Sequence, residues 1–254
     1  MRFSIEINDV TFAYEGCQPT FSGITATLKQ GEVVGLVAAV GGGKSTFLKL
    51  CAGLLPPTSG EVVIEGKRFW ALSEMEQNAL RRRMGFDFQE GALIANMTVF
   101  QNLGMPMVYH GRGTRAEIKA EVDGWLALMR MDRYWNMLPA ALSAGLRRRV
   151  SYIRAMMTDG AYFFWDEPTE GGDELHSRRV TEAIAEKKKA GRGSLVSTQD
   201  LSFLASVADR VLVLRDGRIC YDGPLKGGKI PVESELKGMV KGTAEAEKLR
   251  SQKG

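Results

Sequence analysis

The chain has 254 residues, 44% hydrophobic and 25% charged, and 34 Lys and Arg against 30 Asp and Glu give a formal charge of +4. That length suits one large domain or one domain with an inserted lobe, and so mild a positive balance gives no footprint for nucleic acid. No apolar run nears the roughly 18 residues of a membrane span, Met1 to Asp9 lacks the apolar core of a secretion signal, and Cys17, Cys51 and Cys220 have no metal-ligand spacing, so a cytoplasmic, reduced setting is expected.

Alternation at Phe3-Ile5-Ile7 and again at Val10-Phe12-Tyr14 predicts two strands, and Ile24 to Leu28 predicts a third. Val33 to Val37 is an apolar run that reads as a buried strand, and Ser45 to Leu55 has helical periodicity. Between them lies Ala38-Ala39-Val40-Gly41-Gly42-Gly43-Lys44-Ser45-Thr46. Three glycines let the backbone aim its N–H groups at phosphate oxygens, and the new helix turns its positive end to the same anion. Lys44 is placed to reach the β- and γ-phosphates, and the Ser45 hydroxyl to sit on Mg²⁺. Ala38 stands where this pattern usually has glycine. The stretch predicts a nucleoside triphosphate site.

Pro56 to Gly60 is a turn, Glu61 to Glu65 a strand, and Ser73 with Glu76 a capping box opening a helix that runs to Arg83. Met84 to Gln89 reads as a short strand ending in an amide side chain. From Glu90 to Ala141 the composition shifts to methionine, alanine and charge, and Thr98 to Leu103, Arg115 to Met131 and Arg133 to Leu138 are expected helical. Their methionines read first as core filler and second as an adaptable docking face. A helix is expected from Leu146 to Met157. Tyr162 to Trp165 is a continuous apolar strand ending at Asp166-Glu167-Pro168-Thr169. Beside a phosphate loop, Asp166 can hold Mg²⁺ through water and Glu167 can polarise an attacking water. A helix from Glu174 to Ala190, a strand from Ser194 to Thr198 and a helix from Leu201 to Ala208 follow, then a hairpin about Asp216-Gly217. Beyond Gly223 the chain turns glycine- and lysine-rich, with one amphipathic piece near Val232 to Val240.

In this order the motifs resemble those of the ATP-binding subunits of ABC transporters, over about residues 3–225. The resemblance implies an α/β P-loop NTPase with a RecA-like core, an N-terminal antiparallel β-subdomain and an inserted α-helical subdomain. The ATPase domain would span 1–225, with the insert at about 90–158 and a partly helical tail at 226–254. Tyr14 falls at the adenine-stacking position, and Gly41, Gly42, Gly43, Lys44, Ser45 and Thr46 form the phosphate loop. Gln89 matches the glutamine that touches Mg²⁺, Asp166 the Mg²⁺-holding aspartate and Glu167 the catalytic glutamate. Asp173 matches the aspartate of the loop that follows. Leu142-Ser143-Ala144-Gly145-Leu146 occupies the signature, whose Ser143 and Gly145 would reach the γ-phosphate across a dimer. The implied cofactors are ATP and Mg²⁺, the latter on Ser45, Gln89 and Asp166. Gln199 stands at the catalytic switch position.

A narrower resemblance lies in Phe88-Gln89-Glu90-Gly91-Ala92-Leu93 and in Asn96 to Leu103 with Pro106. These segments are similar to the Mla-type ATPases that drive phospholipid trafficking with MCE-domain proteins. That likeness implies an integral membrane permease and an MCE-domain protein as partners. It also implies a dimer with itself or with a second ATPase subunit, and a place on the cytoplasmic face of the inner membrane. The departures from the family fall on Gln199, where histidine is usual, on Ala144 and Leu146, where glycine and glutamine are usual, and on Asp173, which no proline follows. They imply slow hydrolysis or, alternatively, a catalytically impaired subunit that supports an intact ATPase.

Overall fold

Two sheets organise the chain, and a change of parity in its first strand shows how the sequence builds them. The computed structural model describes residues 3–89 and 91–225; the expected tail at 226–254, with Val232 to Val240, lies outside them. The two alternating runs before Tyr14 are one strand, β1 (Ser4–Phe12), and not two. Ile5 and Ile7 are odd-numbered and Val10 and Phe12 even-numbered, yet all four are buried. A register shift between Ile7 and Val10, with Asp9 at φ 50, returns the second run to the core face.

β1 pairs antiparallel with β2 (Phe21–Lys29). Next come β3 (Val33–Ala38) and α1 (Lys44–Cys51). β4 (Ser59–Ile64) and β5 (Lys67–Arg68) complete a four-stranded antiparallel sheet in the order β2-β1-β4-β5. The Ser73–Glu76 capping box opens α2 (Glu74–Arg81), and β6 (Met84–Asp87) follows. β6 stops short of Gln89, which stands in a turn beyond it.

The helical lobe consists of α3 (Val99–Tyr109), α4 (Arg115–Leu128) and α5 (Ala144–Met156). Capping boxes at Thr98–Gln101 and Thr114–Glu117 start the first two. α3 passes beyond the expected end at Leu103 and through Pro106. The helix expected from Arg133 to Leu138 is absent: only a 3₁₀ turn forms, at Asp132–Tyr134. The carbonyls of Trp135 and Met137 instead accept the amides of Phe100 and Val99 at 2.8 and 2.9 Å. Those amides open α3 and have no partner inside their own helix. Of the methionines expected as core filler, Met107, Met129 and Met131 are buried, Met137 is half-buried, and Met105 is exposed.

β7 (Tyr162–Asp166), α6 (Glu174–Lys189), β8 (Gly193–Ser197), α7 (Leu201–Val207), β9 (Arg210–Arg215) and β10 (Arg218–Pro224) complete the fold. The second sheet runs β10-β9-β3-β8-β7-β6, parallel except for the β9–β10 hairpin. Asp216 and Gly217, at φ 48 and 70, make the turn that the sequence marks there. β7 is buried on both faces. Tyr162 and Phe164 enter one core with Leu36 and Leu195, and Phe163 and Trp165 enter the other with Val196 and the lobe residue Ile153. Burying each such side chain contributes roughly 1.5–3 kcal/mol. The pairing sets β3, β8 and β7 side by side, so Ala38, Ser197 and Asp166 end together at one sheet edge, the place where α/β sheets bind ligands.

Candidate functional site

The loop between β3 and α1 is bent by glycines at left-handed angles, Gly41 at φ 75 and Gly43 at φ 87. Gly43 is the N-cap of α1, and no side chain caps the helix there. The first amides of α1 are therefore free to face an anion. A Cβ on Gly43 would lie 2.7 Å from Phe21 Cζ and 3.0 Å from Thr20 Cγ2, so only glycine fits. Ala38 lies fully buried at the end of β3, and a Cβ on Gly42 would come within 3.0 Å of its methyl group. Its methyl is thus beneath the loop, away from the phosphate side, and Gly42 leaves it room.

Val40 to Thr46 line a cavity of about 290 Å³ together with Gln89, Glu167 and Gln199. Lys44 Nζ lies 3.2 Å from Glu167 Oε1, and both side chains are buried. That oxygen has no hydrogen-bond partner, while Glu167 Oε2 accepts the Gln199 backbone N–H at 3.3 Å. Asp166 is buried behind the cavity, where its Oδ1 accepts from Ser197 Oγ at 2.6 Å. Tyr14 shares a hydrogen bond of 3.0 Å between its hydroxyl and that of Thr46, and its ring is exposed. Gln89 donates from Nε2 to Glu170 Oε2 at 2.8 Å. Among the described residues no cluster of His, Cys, Asp and Glu could hold a metal alone. Ser45, Gln89 and Asp166 instead offer hard oxygens around a phosphate cradle. Mg²⁺ takes one or two carboxylates and completes its shell with phosphate and water, so the donor set fits it.

Ser143 and Gly145 stand apart from this cavity. Ser143 is the N-cap of α5 and accepts the Leu146 N–H at 3.3 Å, so the helix opens at the signature and not at Leu146. Ala144 is exposed at the mouth of a second cavity, with Gln89, Arg147, Glu170 and Gly171. Leu146 packs toward the lobe core. Asp173 caps α6, accepting from the His176 N–H at 2.9 Å, and pairs with Arg149. Burial lowers the His176 imidazole to about 4, and its Nε2 lies 2.8 Å from the Pro168 carbonyl.

Sequence reading missed two residues. Ser197 also accepts the Glu167 N–H, at 3.2 Å through Oγ and 3.0 Å through its carbonyl. Its only trace is a hydroxyl closing the apolar run Leu195-Val196. Arg148, 5% exposed, pairs with Asp87, whose carboxyl burial pushes up to about 6. An aspartate between Phe86 and Phe88 in a buried strand was the signal that a cation had to meet it.

A glycine-bent loop capping a helix at the carboxyl edge of a parallel sheet, with a lysine inside, defines a P-loop nucleotide-binding protein. The family model described as "ABC transporter" matches residues 21–170. The chain belongs to that family and has its ATP-binding cassette fold. It is 34% identical over 224 residues to the methionine import ATP-binding protein MetN of Caulobacter vibrioides, covering 87% of this chain and 67% of that protein. The MetN of Mesorhizobium japonicum is 35% identical over 211 residues, 83% of this chain and 58% of that one. The macrolide export ATP-binding/permease protein MacB of Bartonella quintana is 34% identical over 213 residues, 84% of this chain but 32% of that one. The dimeric structure of a bacterial ABC transporter cassette superposes with a TM-score of 0.81 at 27% identity, covering 88% of this chain and 99% of that one. A post-hydrolysis cassette dimer bound to ADP and Pi gives a TM-score of 0.80 with the same identity and coverage. Among the described residues no helix is long and apolar enough to cross a membrane.

Proposed function

We propose that this chain is the ATP-hydrolysing subunit of a membrane transporter. The observation that carries this is the Lys44–Glu167 pair inside the glycine cradle, with Gln89 and Gln199 on the same cavity. The loop amides and Lys44 take the phosphates, and Lys44 exchanges Glu167 for phosphate oxygens. Glu167 is then free to polarise water. Ser45, Gln89 and Asp166 would hold Mg²⁺, which would supply charge neutralisation on the phosphates. Tyr14 offers its exposed ring to adenine. Ser143 and Gly145 do not line their own chain's cradle, which supports the role implied by the resemblance, action across a dimer with a second copy or a second ATPase subunit. Gln199 donates from a neutral amide, and removing one aimed donor costs about a hundredfold or more in turnover, so the expected rate is low. The departures at Gln199 and Ala144 also favour a second reading, a subunit that binds ATP in support of an intact ATPase.

The permease is expected on the lobe, where an apolar groove of about 530 Å³ is lined by Met97, Phe100, Gly104, Met107, Val108 and Ile118. That contact would set the chain on the cytoplasmic face of the inner membrane. For the cargo, the wording of residues 88–106 supports phospholipid and an MCE-domain partner, whereas the MetN relatives support methionine. The chain spans 58% and 67% of the length of the two MetN proteins, and the macrolide exporter matches equally well at 34% identity. Identity over the cassette therefore does not rank the cargoes. The test is ATP turnover with the permease in liposomes holding labelled phospholipid or methionine. Glu167→Gln should keep ATP binding and lose turnover, and Lys44→Ala should lose binding. A complex that binds ATP without turnover would leave the supporting role standing. Transport of methionine alone would overturn the lipid reading.

A further inference from the structure

We propose that Arg148 is a positioning residue that ties the loop carrying Glu167 to the helical lobe. The inference deepens the hydrolytic reading above and rests on it. Arg148 projects from the second turn of α5, in the lobe, and turns its guanidinium inward. Nη1 donates to the Phe88 carbonyl at 2.5 Å and to Asp87 Oδ1 at 3.3 Å. Nη2 donates to the carbonyls of Asp166 and Glu167, each at 3.0 Å, and lies 3.2 Å from Asp87 Oδ2. One rigid fork therefore joins a lobe helix, the root of the loop that holds Gln89, and the carboxyl end of β7.

The charge balance shows that the tie is built. Asp87 is 1% exposed and also accepts from Ser151 Oγ, one turn further along α5, at 2.8 Å. Lysine could neutralise Asp87, but a point charge cannot span four backbone and carboxylate acceptors as a planar fork does. The peptide it grips is the one that matters. Glu167 has φ 47, a left-handed angle that a non-glycine residue holds only where its surroundings fix it. The Ser197 carbonyl takes its N–H, and Arg148 and the Glu170 N–H (3.1 Å) share its carbonyl. A shift of α5 against the sheet therefore acts on the peptide whose side chain faces Lys44.

A buried ion pair can also be mere packing, and apolar replacements of such pairs are often tolerated. Two variants of the full chain separate these roles. Arg148→Lys keeps the charge and loses the fork. Asp87→Leu with Arg148→Met removes the buried charges and keeps the volume. Four readouts apply: thermal midpoint, ATP affinity, amide hydrogen exchange at Glu167 and Glu170, and turnover in the permease complex. The proposal expects exchange at those two amides to rise in both variants while the amides of α1 keep their protection. It also expects kcat to fall about tenfold or more with ATP affinity little changed, even where the double variant melts at the wild-type temperature. Wild-type exchange at Glu167 and Glu170 in a folded Arg148→Lys protein would overturn it, as would wild-type kcat in the double variant. A wild-type complex without turnover would refute the hydrolytic reading instead, and exchange alone would then decide the tie.

Discussion

Gly43→Ala tests the geometry of the cradle because its neighbour Gly41 supplies an internal control. Both glycines are left-handed, at φ 87 and 75. Adding a side chain in that region costs roughly 1–2 kcal/mol at either place. They differ in space. A Cβ at Gly41 meets nothing within 4 Å, whereas one at Gly43 would lie 2.7 and 2.9 Å from Phe21 Cζ and Cε1 and 3.0 Å from Thr20 Cγ2. Phe21 cannot swing aside freely, since it is fully buried and packs edge-on against Phe47 at 6.1 Å between centroids. Forcing a methyl into such a core adds about 1–3 kcal/mol. Gly43→Ala should therefore cost about 2–5 kcal/mol and Gly41→Ala about 1–2 kcal/mol. At about 2–4 °C per kcal/mol for a domain of this size, the melting point should fall by about 4–20 °C and about 2–8 °C respectively. Calorimetry measures both, and ATP titration should show the larger loss of affinity in Gly43→Ala. Equal melting points for the two variants would refute the reasoning, since the Phe21 and Thr20 contacts are what separate them.

Two further outcomes follow from the buried groups behind the cavity. Ser197→Ala removes the donor to Asp166 Oδ1 and an acceptor for the Glu167 N–H. It should destabilise the chain by about 1–3 kcal/mol in urea unfolding and weaken Mg²⁺-dependent ATP binding more than Mg²⁺-free binding; an equal loss in both would refute a role in orienting Asp166. His176 is depressed from 6.5 to about 4 by burial, with Arg148 and Arg149 adding to it. A depressed histidine favours the fold fully above pH 6.5, and that share is lost as pH falls toward 4, up to about 3 kcal/mol. Asp87, raised to about 6, has the opposite slope and loses its share as pH rises toward 6. In urea unfolding followed by fluorescence, the stability gap between wild type and His176→Gln should hold constant from pH 7.5 to about 6.5 and narrow from there to pH 4.5. Parallel curves would show that His176 does not titrate with folding.

Much of the fold was legible because its signals are local. The capping box at Ser73, the Asp216-Gly217 turn and the glycine loop each need only a few adjacent residues, whereas the parity change in β1 read as two strands because the register shift that joins them is set by its partners. What escaped depends on partners far along the chain. Residues 133–138 gave their carbonyls to α3, Gln89 found Glu170, and Arg148 found Asp87 across 61 positions. A periodicity cannot report a bond whose other half is set by topology.

The same distinction reorders the motif departures, which look alike in sequence. A residue that breaks a pattern matters through where its side chain points. Ala38 turns its methyl into the space under Gly42, and Leu146 packs toward the lobe core, so both are absorbed by packing. Gln199 lines the phosphate cavity and Ala144 stands exposed at the opening of α5. Of the four substitutions at Ala38, Ala144, Leu146 and Gln199, only those at Gln199 and Ala144 face open space. Gln199 borders this chain's own phosphate cavity and Ala144 does not, so on the dimeric reading proposed above an intact partner signature would restore this chain's cradle while the Ala144 deficit would fall on the partner's.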